Sequence, residues 1–287
     1  MLHSFAGGTD GDLPQGGVIV DAAGNLYGTT AGVAGYCTHT PYTDCGTVFK
    51  LKPHTSGVWT ETVLHNFTYN GTDGYAPYGT LARDAAGNLY GGTFWGGTYY
   101  DGTAFKLTPA QSGSWTESLY SFYWGKGVNG GGPGGLLLDA AGNLYGTASL
   151  GDNAYSGAVF QLTPTAGNWT ETTLYSFDIY STGAAPNSSL IFDAAGNLYG
   201  TNVYGGSGAT VCLTFGVGNY SASCGTVFKL TPEGGGAWTE TTLHSFGNGT
   251  DGQIPHAGLI RDAAGNLHGT TYAGGAYGGG TVFTVKP

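Results

Sequence analysis

The hexapeptide Asp-Ala-Ala-Gly-Asn-Leu occurs five times, beginning at Asp21, Asp84, Asp139, Asp193 and Asp262. No other feature restricts the fold as strongly, because a unit that recurs at this spacing must bury its apolar face against its own copies. A Gly-x-x-Phe element follows each copy, at Gly46 and Phe49, Gly102 and Phe105, Gly157 and Phe160, Gly225 and Phe228, and Gly280 and Phe283. Trp-Thr-Glu then begins at Trp59, Trp115, Trp169 and Trp238 and leads into Leu-x-x-Phe. One unit reads as four short strands separated by turn chemistry, in the first unit over 17–20, 26–30, 47–51 and 59–67. The Asp-Ala-Ala-Gly-Asn link suits a tight hairpin, since Asp can bond the turn backbone and Gly accepts positive φ.

Four strands per unit match a propeller blade rather than one coil of a β-helix. The expected fold is therefore an all-β, five-bladed β-propeller with four-stranded blades, a single domain over 1–287. The blades are expected at about 17–67, 79–122, 135–177, 189–246 and 258–285 together with 2–5. The last assignment follows from the ends. The fifth unit stops after its third strand, whereas Leu2-His3-Ser4-Phe5 matches Leu243-His244-Ser245-Phe246. The N-terminal strand is expected to pair in the last blade and remove its open edge.

The combination of Asp-Ala-Ala-Gly-Asn-Leu-Tyr-Gly-Thr with Gly-Thr-Val-Phe-Lys-Leu resembles the GloVer tandem repeat of bacterial exported or surface-anchored proteins. The Asp-x-x-Gly-Asn-Leu-Tyr portion is similar, more loosely, to NHL-type propeller blades. The resemblance covers essentially the whole chain. It implies a bacterial extracellular propeller and brings no defined activity, because the family is characterised by its repeat and not by a site.

Composition narrows the partners. Gly makes up 56 of 287 residues, but 40% of the chain is hydrophobic and 14% aromatic, so there is ample apolar surface to pack. Net charge is −10 with only eight Lys and Arg, which excludes the clustered cations that nucleic acid or an anionic lipid surface requires. No apolar run approaches the roughly 18 residues of a membrane span, so no membrane insertion is expected. The chain opens directly in repeat sequence, so an export signal is expected to have been removed ahead of it. Cys37/Cys45 and Cys212/Cys224 form two local pairs before Gly-Thr-Val-Phe strands. Two disulfides are expected, and with them an oxidising compartment, either secreted or at the bacterial cell surface. No cofactor is expected, and the chain is expected to be a monomer whose partner is a polysaccharide or glycan.

Repetition also sorts the candidate site residues. Residues present in every unit serve the blade, so the five repeat Asp are read as turn residues, the repeat Glu (Glu61, Glu117, Glu171, Glu240) as a solvated face, and the repeat Trp as packing. His3, His65 and His244 share a position with Tyr120 and Tyr175, and a position that accepts either is not expected to ligate a metal. The variable residues fall in the loops between strands two and three and in the connections between blades, which share one face of a propeller. Trp95 and Trp124, with Tyr78, Tyr99, Tyr100 and Tyr123, form an aromatic set suited to stacking on sugar rings. Asp44, Asp101 and Asp152 are the carboxylates available to an alternative reading, a polysaccharide hydrolase or lyase. His39 and His256 are the candidates for a metal. A structural surface or fibre protein is the third reading.

Overall fold

The computed structural model describes residues 1–32, 37, 45–111, 113–123, 132–149, 156–179, 181–208, 210–215 and 220–287. The fold is an all-β, five-bladed β-propeller, and its antiparallel sheets follow the repeat in chain order. The first blade contains Ile19–Val20, Leu26–Thr30, Thr47–Pro53 and Trp59–Asn66, each strand hydrogen-bonded to the next. The second contains Ala82–Arg83, Leu89–Gly96, Thr103–Pro109 and Trp115–Ser121. Leu137–Leu138, Leu144–Ala148, Ala158–Thr165 and Asn168–Ser176 make the third, and Ile191–Phe192, Leu198–Tyr204, Thr226–Pro232 and Trp238–Ser245 the fourth.

The fifth sheet departs from expectation. It has three strands, Ile260–Arg261, Leu267–Thr271 and Thr281–Val285, and the last of these pairs on one side only, leaving Val282 83% exposed. Residues 2–5 form no strand, so the pairing expected of them in the last blade is not among the described sheets. Their anchor is a ring contact instead: Phe5 packs on Phe49 with centroids 5.0 Å apart.

That contact is one instance of a recurring packing rule. At four junctions the phenylalanine of Leu-x-x-Phe packs against the Gly-x-x-Phe ring of the following blade. Phe67 lies 5.2 Å from Phe105, Phe177 4.9 Å from Phe228, and Phe246 4.9 Å from Phe283. Phe67, Phe105, Phe228 and Phe246 are essentially fully buried, as burial of aromatic area demands. The glycine of Leu-Tyr-Gly makes room for the same ring. A Cβ at Gly28 would lie 2.7 Å from Cζ of Phe49, and one at Gly200 2.6 Å from Cζ of Phe228.

A second rule joins each connection to the blade before it. Pro77, Pro133 and Pro255 rest on the glycines that open the third strands. A Cβ at Gly46 would come within 2.5 Å of Pro77 Cδ, at Gly102 within 2.8 Å of Pro133 Cδ, and at Gly225 within 2.6 Å of Pro255 Cδ. The residue before each connection proline sits at positive φ, at Leu13, Ala76, Gly132, Ala185 and Ile254. Four of these carry a side chain, so the corner is strained and must be held by its surroundings. Inter-blade hydrogen bonds hold it: Ala76 N donates to Cys45 O at 2.9 Å, Ala185 N to Ser156 O at 3.1 Å, and Ile254 N to Cys224 O at 2.8 Å.

Backbone proximity divides the chain into two compact units, one of 1–123, 131–142 and 164–169, the other of 124–130, 143–163 and 170–287. The first has a buried cluster including Tyr27, Val48, Phe67, Leu89, Phe105 and Leu107. The second has its own, including Tyr199, Val227, Phe246, Leu259 and Leu267. Both disulfides are formed, Cys37–Cys45 with Cα atoms 4.7 Å apart and Cys212–Cys224 with 5.0 Å. No helix among the described residues is long and apolar enough to cross a membrane.

Candidate functional site

The repeat aspartates act in the turn, as their position in the motif suggests. Asp21 accepts hydrogen bonds from the backbone N–H of Ala23 and Asn25 at 2.9 and 3.0 Å, from Asn25 Nδ2 at 2.8 Å and from the Tyr27 hydroxyl at 3.0 Å. Asp84 and Asp193 repeat the network with Asn88 and Tyr90, and with Asn197 and Tyr199. Burial alone would raise these carboxyls. The convergent donors outweigh it, holding Asp21 and Asp193 at about 2 and Asp84 below its ordinary value. Ionised at neutral pH and engaged by these donors, they are poorly suited to proton transfer. His268 stands where the other blades have Tyr and fills the same role, with Nε2 3.2 Å from Asp262 and Nδ1 2.9 Å from the Thr284 hydroxyl.

The aromatic set gathers on blade two. Gly74–Pro77 adds to the outer end of Leu89–Gly96, and the register places Tyr75 directly opposite Trp95. Opposed residues of an antiparallel pair share a face, so the two side chains project from the same side of the sheet. Phe94 lies 4.9 Å from Trp95 and 6.3 Å from Tyr78. Tyr69 lies 5.6 Å from Tyr75 and 6.2 Å from Tyr100, and Tyr99 lies 4.7 Å from Tyr123. A turn over 97–100 presents these rings: Tyr100 N donates to Gly97 O at 3.2 Å, with Tyr100 itself at φ 65°. Trp95 is 38% exposed, Tyr99 51% and Tyr100 48%. These side chains are not packed away under their own loop. Tyr69 and Tyr75 belong to this surface although sequence reasoning did not single out Tyr69. The same loop recurs in blade five, where Tyr272 and Tyr277 are exposed, so blade two is not alone in presenting aromatics here.

Other expected site residues fall differently. Trp124, His39, Asp44 and Asp152 lie outside the described residues. Asp101 sits at the end of the aromatic loop, bridged to Gly96, with its carbonyl accepting a hydrogen bond from Gly132 N at 2.9 Å. His256 is exposed and meets Tyr272 edge-on at 6.2 Å. The repeat Trp serve packing, as Trp115 does against the first cluster and Trp169 edge-on against Tyr90 at 6.3 Å.

The repeat glutamates correct the sequence reading. They do not line a solvated face; Glu61, Glu117, Glu171 and Glu240 are all partly buried, while the threonines beside them on the same strands are exposed. Strand alternation turns Trp and Glu to one side and Thr to the other. In two places this brings a glutamate to a histidine of the preceding fourth-strand motif. His65 Nε2 lies 3.3 Å from Glu117 Oε1 and 3.7 Å from Asp73 Oδ2. His3 Nε2 lies 3.3 Å from Asp10 Oδ1, with Glu61 completing the group. Burial pushes Glu117 up to about 7, Asp73 adding to the rise and His65 opposing it. Burial disfavours charge on His65, but Asp73 and Glu117 outweigh it and raise the imidazole. The sequence does contain a signal for this: His and Asp-Gly occur together, at His3/Asp10, His65/Asp73 and His244/Asp251, and the units with Tyr120 and Tyr175 lack the Asp-Gly.

The model of a family described as the Gloeobacter/Verrucomicrobia repeat matches residues 33–213. No curated protein sequence matches the chain. Among solved structures, PorZ, described as an essential bacterial surface component of the type-IX secretion system of Porphyromonas gingivalis, is similar with a TM-score of 0.56 at 16% identity. The alignment covers 100% of this chain and 34% of PorZ, so the chain spans about a third of that protein's length. A Trypanosoma rangeli sialidase mutant displaying trans-sialidase activity aligns with a TM-score of 0.54 at 13% identity, over 95% of this chain and 44% of the sialidase. A protein of unknown function from Dyadobacter fermentans aligns with a TM-score of 0.52 at 12% identity, over 96% of this chain and 78% of its own. At these identities the likeness is one of fold.

Proposed function

The chain belongs to the Gloeobacter/Verrucomicrobia repeat family, and from that premise we propose that it is an extracellular, carbohydrate-binding propeller whose site is the aromatic surface of blade two. The observation that carries the reading is a partly exposed surface with two groups of rings, Phe94 with Trp95 and Tyr75 with Tyr69 and Tyr100, set side by side by the pairing of Tyr75 opposite Trp95. Flat aromatic faces stack on the C–H faces of sugar rings, and a row of them accommodates successive residues of a polysaccharide. Asn70, Thr72, Thr98 and Asp101 lie in the same two loops as the rings. The scarcity of cations makes an acidic polymer a poor partner, which favours a neutral glycan. The two disulfides suit an oxidising compartment, so the protein is assigned to the secreted or cell-surface space.

The test is binding to a panel of immobilised polysaccharides by wild type and by Trp95→Ala, Tyr100→Ala and Tyr277→Ala. Trp95→Ala and Tyr100→Ala are each expected to weaken binding about tenfold, roughly the 1.4 kcal/mol of one lost stacking contact. Tyr277→Ala, in the corresponding loop of blade five, is expected to leave it unchanged. Equal binding by wild type and Trp95→Ala would remove blade two as the site.

A further inference from the structure

We propose that His65, Asp73 and Glu117 form a binding site for a divalent transition-metal ion, with zinc as the best match, and that His3, Asp10 and Glu61 form a second copy of it. In each group the ligand atoms lie within 4.8 Å of one another. Tetrahedral zinc with bonds of about 2.0–2.2 Å places its ligand atoms about 3.3–3.6 Å apart. The 3.3 Å between His65 Nε2 and Glu117 Oε1 already meets that spacing, and the 3.7 Å to Asp73 Oδ2 is within a small side-chain adjustment of it.

The second observation is unsatisfied polarity. Asp73 is only 7% exposed, and its Oδ1 has no hydrogen-bond partner; neither has His65 Nε2 nor Glu117 Oε1. His65 Nε2 faces Glu117 Oε1 and Asp73 Oδ2 as an ion pair, yet makes a hydrogen bond to neither, and a cation among the three would satisfy them more fully. In the second group His3 Nε2 and Glu61 Oε1 are likewise buried and make no hydrogen bond, His3 being held only by its ion pair with Asp10. The rest of the Asp73 carboxylate is fixed in place: Oδ2 accepts from Thr68 N at 2.8 Å and the Thr68 hydroxyl at 3.0 Å, while Asp73 N donates to Asn70 Oδ1 at 2.8 Å. Supporting bonds of this kind orient a metal ligand before the ion arrives.

The repeat supplies its own control. His244 and Asp251 have no glutamate strand beyond them, the fifth sheet having three strands, and they bond directly at 2.9 Å. Two groups alone satisfy each other; adding the glutamate opens the arrangement. One imidazole with two carboxylates is a borderline donor set, suited to zinc or manganese rather than to calcium or magnesium, which prefer oxygen alone. The first ion would tie the fourth strand of blade one, the connection over 68–73 and the fourth strand of blade two.

The experiment uses the full chain without a histidine tag, stripped with EDTA, dialysed against zinc chloride and measured by elemental analysis and titration calorimetry. Wild type is expected to hold two zinc ions, Glu117→Gln and Glu61→Gln one each, and the double variant none. Glu240→Gln, at the corresponding position after Tyr175, is expected to hold two. Zinc absorption spectroscopy on wild type gives a readout independent of any variant's folding, with an oxygen-rich shell, a single imidazole and no sulfur expected. Failure of wild type to retain zinc, stoichiometry unmoved by Glu117→Gln, or a sulfur or multi-imidazole shell would overturn the proposal.

Discussion

Replacing Gly102 by alanine separates two reasons for a glycine, and the comparison with Gly113 makes the separation quantitative. Both residues have left-handed backbone, at φ +92° and +83°. At Gly113, in the turn between strands three and four, nothing lies within 4 Å of an added Cβ. Alanine there pays the left-handed cost of about 1–2 kcal/mol, offset by about 0.4–1 kcal/mol from a less flexible unfolded chain. The net loss is about 1 kcal/mol. At Gly102 the same terms apply, but the Cβ would also meet Thr93 O at 2.5 Å, Pro133 Cδ at 2.8 Å and Phe94 O at 2.9 Å. Two of these are backbone atoms and the third a proline ring, so none can swing aside, and overpacking of this kind costs about 1–3 kcal/mol more. Gly102→Ala is therefore expected to be destabilised by about 2–4 kcal/mol. Guanidinium denaturation midpoints of both variants, read with a common slope, provide the assay. Losses equal within about 0.5 kcal/mol would show that φ alone selects glycine and that Pro133 does not wedge against blade two. The same clash displaces the Phe94 carbonyl beneath the aromatic loop, so glycan affinity is expected to fall in Gly102→Ala and to hold in Gly113→Ala.

Two further outcomes test the packing and the turns. Phe67→Ala, which empties a fully buried ring site against Phe105, is expected to cost about 3–5 kcal/mol, whereas Phe5→Ala, where the ring is only partly buried, should cost clearly less in the same denaturation assay. The Asp193 carboxyl is held at about 2 against an ordinary 3.8, so its contribution is fully present above 3.8 and is lost as pH falls towards 2. Thermal melts between pH 6 and pH 2 should therefore show the gap between wild type and Asp193→Asn, about 1 kcal/mol after solvent screening, closing on acidification; a gap independent of pH would contradict the hydrogen-bond assignment.

Much of the fold was legible because it is local. The limits of Leu26–Thr30, the Asp21 turn and the Gly46-to-Phe49 strand follow from turn residues and alternation within a few tens of residues. The cysteine pairs, each closing a short loop, could be matched on separation alone. The aromatic candidates were legible only in part. Trp95, Tyr99 and Tyr100 stood out as loop aromatics, but the apposition of Tyr75 and Trp95 depends on a connection strand that pairs with a blade and has no period of its own. Residues 2–5 show the limit from the other side, since a match of four residues to a strand motif proved sufficient to seat Phe5 on Phe49 without forming the strand.

What the amino-acid sequence determined by itself is the number of blades, the order of strands within each and the place of the repeat aspartates in the turns, because each depends on contacts between neighbours along one hairpin. What only the tertiary structure decided is which face of the fourth strand meets the adjacent blade. That choice turned Glu117 from an expected solvated side chain into a partly buried one beside His65 and Asp73. Strand alternation divides side chains into two sets but does not say which set will be covered, and only the packing of one blade on the next excludes water from one of them.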